Sequence, residues 1–423
     1  MYSLKRQTVD VVVLAILLTG FCAFAQETAP RSDTDARIAF YKARLGGRGT
    51  YPAYARLGAA YIRKGRETGR QNYYDEAMQY LSTSLDYQRN YEALLWLAVA
   101  QLARHYFREA LNYAEEAVET MPSHLSAHGA LFDSYLALGD LQKAETVVQK
   151  MLSLEPGADS YARLATIRQY RGELTGAAEA MQRACSFPDG TSVPVETRAW
   201  CEVRLGSLYL LARCEAENAE AAYKRALTLF PNYHGAIEHM AELRAAQWRH
   251  DEAITFYQRV LKTTADVTYQ VKLANIYDEQ GMHQTADRER KPALAELRRL
   301  AKNDSRAYLR LLSLVLLDRK DAAAEGLYWA RKDWENRHDV LAADTLAWAH
   351  HQNGNGAVAL ETIKEALQSG SKDSNILFHA AVIHAAADER SQARDLLGQA
   401  LTCPLTLRPV DRHTAETLLA NLP

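Results

Sequence analysis

Between Tyr91 and Pro156 the chain states one hydrophobic pattern twice. Leu94, Leu97-Ala98, Ala110, Ala117 and Pro122 form the first copy; His128, Leu131-Phe132, Tyr135, Ala144, Val148 and Pro156 form the second. Ala110 and Ala144 lie 34 residues apart, as do Pro122 and Pro156. Coiled as a helix, Tyr91 to Arg104 is apolar on more than one side and needs cover on more than one face. The segment after it carries Ala110, Ala114 and Ala117 at spacings of four and three, a small-residue stripe on which a second helix can approach closely. One such hairpin leaves a face uncovered, so the next must stack on it, and stability becomes a sum of repeat and interface terms.

The same slots recur along the chain. They hold Leu57-Gly58, Tyr61, Ala77, Leu81 and Ser84; then Tyr161, Leu164-Ala165, Ala177, Met181 and Ala184; then Leu205-Gly206, Tyr209, Ala219, Tyr223 and Ala226. Met240-Ala241, Ala253, Tyr257 and Val260 follow, then Leu273-Ala274, Tyr277, Ala286 and Ala293, and later Leu346-Ala347, Ala359, Ala366, Ala380-Ala381, Ala393 and Ala400. A fixed 34-residue period with these slots resembles the tetratricopeptide repeat, and the resemblance covers Tyr51 to Leu401. It implies an all-α, right-handed superhelical solenoid of about ten helix-turn-helix repeats. The expected organisation is a signal peptide over 1–25, a linker and capping helix over 26–50, repeats 1–7 over 51–302, degenerate and C-terminal repeats 8–10 over 303–402, and a capping segment over 403–423. Asp344 to Ala349 with Phe378-His379-Ala380 looks like the C-terminal block of exported bacterial repeat proteins that carry no assigned activity.

Four places depart from the period. Arg63 to Tyr73 reads as a lengthened turn holding Arg63, Lys64, Arg66 and Arg70, a solvated loop or a basic finger. About eight extra residues separate Ala177 from Ala219, and Phe187 to Thr197 is expected to protrude as a loop. Arg290 takes an apolar slot, and Pro292 predicts a kink or break in a helix running to about Lys302. The unit from Leu309 to Trp334 keeps only Ala323, Leu327 and Ala330.

Lys5 and Arg6 precede the apolar run Val11 to Phe24, which ends in Ala23-Phe24-Ala25, the layout of a secretory signal peptide cleaved before Gln26. Export sets a periplasmic or secreted location, with a membrane contact only if the segment is retained as an anchor. The 423 residues are 48% hydrophobic and 24% charged with a net charge of −2, so there is no basic field of the kind that collects nucleic acid. An oxidising compartment permits disulfides among Cys185, Cys201, Cys214 and Cys403. Cys185 and Cys201 flank the inserted loop at facing helix ends and are the expected bridge.

No G-x-x-x-x-G-K-[ST], G-x-S-x-G or H-E-x-x-H motif occurs. His379 and His384 are five apart and do not share a helix face, so satisfied histidines rather than metal ligands are expected there. Tyr61, Tyr135, Tyr209 and Tyr277 fall in the repeat's aromatic slot and read as core. No catalytic, cofactor or metal residues are assigned. In related superhelices, partners lie in the concave groove lined by first helices. The carboxylate-clamp positions known from one subclass hold Leu95, Gly129, Ala162, Val203 and Glu238 here, so the clamp is missing. What the groove offers is acidic: Glu238 and Glu242 on one helix, Asn275 and Asp278 on the next. It reads either as a solvated face or as a site for a basic or amphipathic partner segment. The expected function is a non-enzymatic interaction scaffold or adaptor in the bacterial envelope. The alternatives are an envelope enzyme or sugar-binding accessory with its ligand in the groove, and a membrane-tethered assembly factor.

Overall fold

A computed structural model describes residues 33–46, 49–187, 193–264 and 266–422. The signal segment and the centre of the inserted loop lie outside the described residues. Among these residues the chain forms 22 α-helices and three short 3-10 turns, with no strand.

α1 (Thr34–Leu45) and α22 (Pro409–Asn421) flank ten helical hairpins. The hairpins pair α2 (Tyr51–Thr68) with α3 (Asn72–Tyr87), α4 (Tyr91–Ala103) with α5 (Phe107–Thr120), α6 (Leu125–Ala137) with α7 (Leu141–Leu154), α8 (Ala158–Tyr170) with α9 (Leu174–Ser186), and α10 (Val195–Arg213) with α11 (Ala216–Leu229). They continue with α12 (His234–Ala246) and α13 (His250–Leu261), α14 (Val267–Glu279) and α15 (His283–Lys302), α16 (Leu309–Leu317) and α17 (Ala323–Asn336), α18 (Val340–Gln352) and α19 (Gly356–Gln368), and α20 (Ser374–Ala386) and α21 (Arg390–Ala400). The first helix of each hairpin is covered on several sides, as in α4, where Leu94, Leu95, Leu97, Ala98 and Val99 are all buried. The second helix buries one stripe, its small residues accompanied by larger ones such as Leu81, Met181 and Tyr257. Ala77, Ala110, Ala144, Ala177, Ala219, Ala253, Ala286, Ala359 and Ala393 have no exposed surface, so backbones meet there without an intervening side chain. Carboxylates and amides cap the first helices: Asn90 Oδ1 accepts from Ala93 N at 2.9 Å, and Asp373 Oδ1 from Asn375 N at 2.9 Å.

The array winds far enough to meet itself. Turns inside the early hairpins dock on the linkers between late ones. Tyr106 donates its hydroxyl to Asp304 O at 2.9 Å, Asn336 Nδ2 donates to His105 O at 2.8 Å, and His338 N donates to Ala137 O at 3.3 Å. Gly172, at φ +74°, comes so close to the carbonyl of Gly370 that a Cβ would collide with it. The last such contact is covalent. Cys214 in the fifth hairpin turn is joined to Cys403, with a Cα separation of 5.0 Å.

This corrects the expected cysteine pairing. Cys185 and Cys201 are free thiols held against each other, and the hydrogen bond to Cys201, followed by burial, pushes the Cys185 thiol up. The bridge forms 189 residues apart in sequence because the superhelical seam brings Cys214 and Cys403 together.

Other departures resolve as longer helices. Arg63, Lys64 and Arg66 lie within α2, which runs to Thr68, so there is no basic finger; Arg63 pairs with Glu67 at 2.9 Å and Lys64 with Asp35 at 2.5 Å. Much of the insertion before the fifth hairpin enters α10, which spans 19 residues where α4, α6 and α8 span 13. α15 runs unbroken through Pro292 for 20 residues. The degenerate eighth unit is still a hairpin, its nine-residue α16 entered and left through 3-10 turns.

Candidate partner-binding groove

The four predicted groove residues come together on neighbouring first helices, but not as an acidic surface. Glu238 and Glu242 stand on α12, and Lys272 of α14 reaches both, with its ammonium 2.6 Å from Glu242 Oε1 and in direct contact with Glu238 Oε1. The Lys272 side chain is only 3% exposed and Glu238 is buried with it, while Glu242 is half-buried. His239 adds a contact to Glu242 at 3.1 Å. Burial alone would raise the Glu242 pKa; the Lys272 charge and the His239 contact outweigh it and hold the carboxyl below its usual range. Burial would lower Lys272, and the two glutamates raise it instead. One helix further on, Arg290 bonds to Asp278 and reaches Asn275 Oδ1 at 3.5 Å. The charge in the apolar slot thus has its partner, and the cluster is a set of internal ion pairs rather than a solvated acidic face.

Beside Glu238 the groove deepens into a cavity of about 190 Å³. Two off-period segments build it. The added last turn of α2 supplies Gly65 and Arg66, and the added first turn of α10 supplies Glu196 and Thr197, with Trp200 just after it. They meet in the Arg66–Glu196 ion pair at 3.2 Å, which joins the first hairpin to the fifth. Tyr74, Tyr233, Tyr269 and Tyr308 give the walls an aromatic character, and Arg310 comes from the eighth hairpin. Burial pushes the Tyr74 hydroxyl up to about 12 and raises Tyr233 and Tyr269 further, so all are protonated donors at neutral pH.

His234 links the two superhelical turns in this wall. Its Nε2 lies 3.2 Å from Arg66 O and its Nδ1 3.0 Å from the Tyr269 hydroxyl. A carbonyl can only accept, so Nε2 carries the proton and Nδ1 accepts from Tyr269. Burial lowers the His234 pKa, in keeping with a neutral ring. His105 is lowered well below its ordinary value by burial and then by Arg337 and Arg104. The cavity therefore offers aromatic faces, hydroxyl donors and a carboxylate-guanidinium pair, the chemistry that holds a peptide segment by its side chains.

The remaining candidates are structural. His379 pairs with Asp344 at 2.8 Å and stacks on Trp348, and His384 pairs with Glu389 at 2.6 Å. Tyr61 is buried; Tyr135, Tyr209 and Tyr277 are half-buried and pack against the core. Sequence reasoning missed Lys272, Arg66, Glu196 and Trp200. Lys272 had a signal, since the slots here step by 33, from Ala241 to Ala274, and it stands one residue past the place equivalent to Glu238 on the next first helix. Among the described residues, no group of three His, Cys, Asp or Glu side chains is arranged to hold a metal, and no helix is long and apolar enough to cross a membrane.

Residues 102–167 match the model of a tetratricopeptide repeat family. Anaphase-promoting complex subunit 7 of Arabidopsis thaliana is 26% identical over 177 residues, covering 42% of this chain and 30% of the relative, so the chain spans less than a third of that protein. Among solved structures, a thermophilic TPR protein of Thermus thermophilus aligns with 43% of this chain and 92% of its own at 24% identity and a TM-score of 0.38. The APC/C hetero-tetramer Cut9-Hcn1 aligns with 92% of this chain and 83% of its own at 14% identity and a TM-score of 0.40. Yeast Tom70 aligns with 92% and 91% at 12% identity and a TM-score of 0.36.

Proposed function

We propose that this chain, which is a tetratricopeptide-repeat protein, is a non-enzymatic interaction scaffold or adaptor of the bacterial cell envelope that takes a segment of a partner protein in its concave cavity. The observation that carries the reading is the cavity's origin. The helix extensions that break the repeat period, in α2 and α10, place Arg66, Glu196 and Thr197 together on the concave side, beside Trp200. Core packing of a hairpin needs only the small and apolar slots.

The envelope setting rests on the Lys5-Arg6, Val11 to Phe24, Ala23-Phe24-Ala25 layout and is supported by the Cys214–Cys403 disulfide, a bond that persists in oxidising compartments. A photo-crosslinking residue placed at the half-buried cavity positions Gln71 or Ala307 in living cells should capture one shared set of partners. The exposed second-helix positions Ser82 and Glu361 should not. Equal capture from all four sites, or none from Gln71 and Ala307, would overturn the cavity as the binding site.

A further inference from the structure

The superhelical seam has two edges, and each is used only once. One edge consists of the turns within hairpins, the other of the linkers between them. In the seam, turns of early hairpins meet linkers of late ones, and the register is regular. The third hairpin's turn at Gly139 meets the linker at His338 after the eighth; the fourth's at Gly172 meets Gly370 after the ninth; the fifth's at Cys214 meets Cys403 after the tenth. From the third hairpin on the offset is five hairpins each time; the first hairpin's turn falls one short, its Gly69 lying against His234 after the fifth. Turns of the sixth to tenth hairpins and linkers of the first few are left over, with Trp248, Gly281, Arg319, Gly354 and Asp388 exposed on one edge and Tyr87, Gln88, Arg89, Pro122 and Pro156 on the other.

The apolar residues follow the same division. Among the described residues, seven large hydrophobic side chains are exposed. Trp248 (58%) and Met282 (45%) stand in free turns, and Val358 lies just after another. Tyr87 (62%), Phe187 (39%) and Val195 stand at the ends of linkers. Only Tyr328 sits within a helix away from both edges. Six of the seven thus stand at or beside the two edges.

From the seam we infer that the free turns of one molecule dock on the free linkers of a second copy of this chain, continuing the superhelix head to tail. The contact repeats a docking mode the chain already makes within itself. Counting five hairpins forward, as the seam does, sets the Trp248 and Met282 turns against the first linkers of the next molecule, where Tyr87 stands. Because the two edges differ, the contact is heterologous and does not close after two copies.

Sedimentation velocity over about 1 to 100 µM protein tests this, covering the range in which a modest interface reports. The full mature chain should show a mass that climbs past the dimer. Trp248→Asn with Met282→Glu removes one edge; Tyr87→Glu with Phe187→Ser removes the other. Each variant alone should remain monomeric, and an equimolar mixture should form a dimer and stop there, since one intact edge of each kind survives. All four positions are exposed, and unchanged circular dichroism and melting confirm that each variant is folded. Three outcomes would overturn the proposal: a monomeric wild type at the highest concentration, which would assign the edges to a different protein; a dimer formed by either variant alone, the sign of a symmetric contact; or a mixture of folded variants that stays monomeric.

Discussion

Lys272 is the residue on which the candidate groove depends most heavily for stability, and replacing it with Met isolates that role. Methionine keeps the length and apolar stem while removing the ammonium that faces Glu238 and Glu242. Glu238 is buried with Lys272 and Glu242 is half-buried, so the variant leaves two carboxylates facing each other with a buried one uncompensated. Breaking a buried pair by removing one partner costs about 3 to 5 kcal/mol. At about 2.1 cal/mol/K per residue, one-step unfolding of all 423 residues would convert this into a fall in Tm of about 3 to 6 °C. Piecewise unfolding of the array would concentrate the loss in the sixth and seventh hairpins and enlarge it there. The pH dependence distinguishes lost charge pairing from lost packing. In the wild type, Glu242 is held below its ordinary value, so its contribution is present above the usual carboxylate range and fades as pH falls through it. In Lys272→Met the carboxyls lose their counter-charge and bind protons more readily folded than unfolded, so the variant's deficit should shrink between pH 7 and pH 5. Thermal melts at several pH values measure both effects. A Tm within about 1 °C of wild type at pH 7.5, or a deficit that does not change with pH, would refute the assignment of Lys272 as the charge that neutralises this groove.

The packing, the buried charges and the seam each carry a further expectation. Gly58→Ala would put a Cβ 2.5 Å from Leu81 Cγ, and Gly206→Ala would drive one into the Tyr223 ring; each should lower stability by about 1 to 3 kcal/mol in urea titration, and no change would mean that the hairpin interfaces are looser than described. Asp133 and Asp159 share the single buried guanidinium of Arg163, and burial pushes Asp133 up to about 7 against the pull of Arg163. The folded protein therefore binds a proton between about pH 4 and 7 that the unfolded chain releases, so stability should fall as pH rises through that window by at most about 1.4 kcal/mol per unit; Asp133→Asn should flatten this slope, and parallel curves for variant and wild type would count against it. Cys214→Ser or Cys403→Ser opens a 189-residue loop, for which chain entropy sets a loss of about 5 kcal/mol, and the variant should expand in small-angle X-ray scattering; an unchanged radius would show that the polar contacts alone hold the two turns together.

The hairpins were legible because their signal is local. Ala110 and Ala117, or Ala253 and Val260, are spaced to pack against a helix only a few residues away, and ten such hairpins formed where the period placed them. The groove was less legible because its charges were read helix by helix. Glu238 and Glu242 look like an acidic face when α12 is taken alone, yet Lys272 lies one residue past the place equivalent to Glu238 on the next first helix, one step along the groove wall. Arg163 stands in the same relation to Gly129, where the missing side chain leaves room for the guanidinium to donate to Gly129 O at 3.2 Å. Asp344 and His379, 35 apart, repeat the arrangement. In a stacked array, then, the charge of a groove position is set by the residue just past its equivalent on the next first helix as much as by its own helix.

The seam was not legible at all, and the cysteines show why. Cys185 and Cys201 looked like the bridge because a short insertion separates them, and they are indeed neighbours, but proximity in one hairpin is only one of the two ways a solenoid brings residues together. The other depends on how far each hairpin rotates relative to the last, a small angle set by every small-slot contact along the array and summed over five repeats. No single residue encodes that sum. What the sequence does record is its consequence: the late linkers are polar at the positions that become buried, with Ser305, Asn336, Arg337, Ser369 and Ser371 all out of water. Polar groups are buried where they find partners, and Asn336 finds the carbonyl of His105 and Ser305 the guanidinium of Arg104, both in the second hairpin's turn. The corresponding early linkers carry Tyr87 and Phe187 into solvent. That inversion, polar side chains buried at one set of linkers and aromatic ones exposed at the other, is what a superhelix must show when one edge of each turn is already occupied and the other remains open.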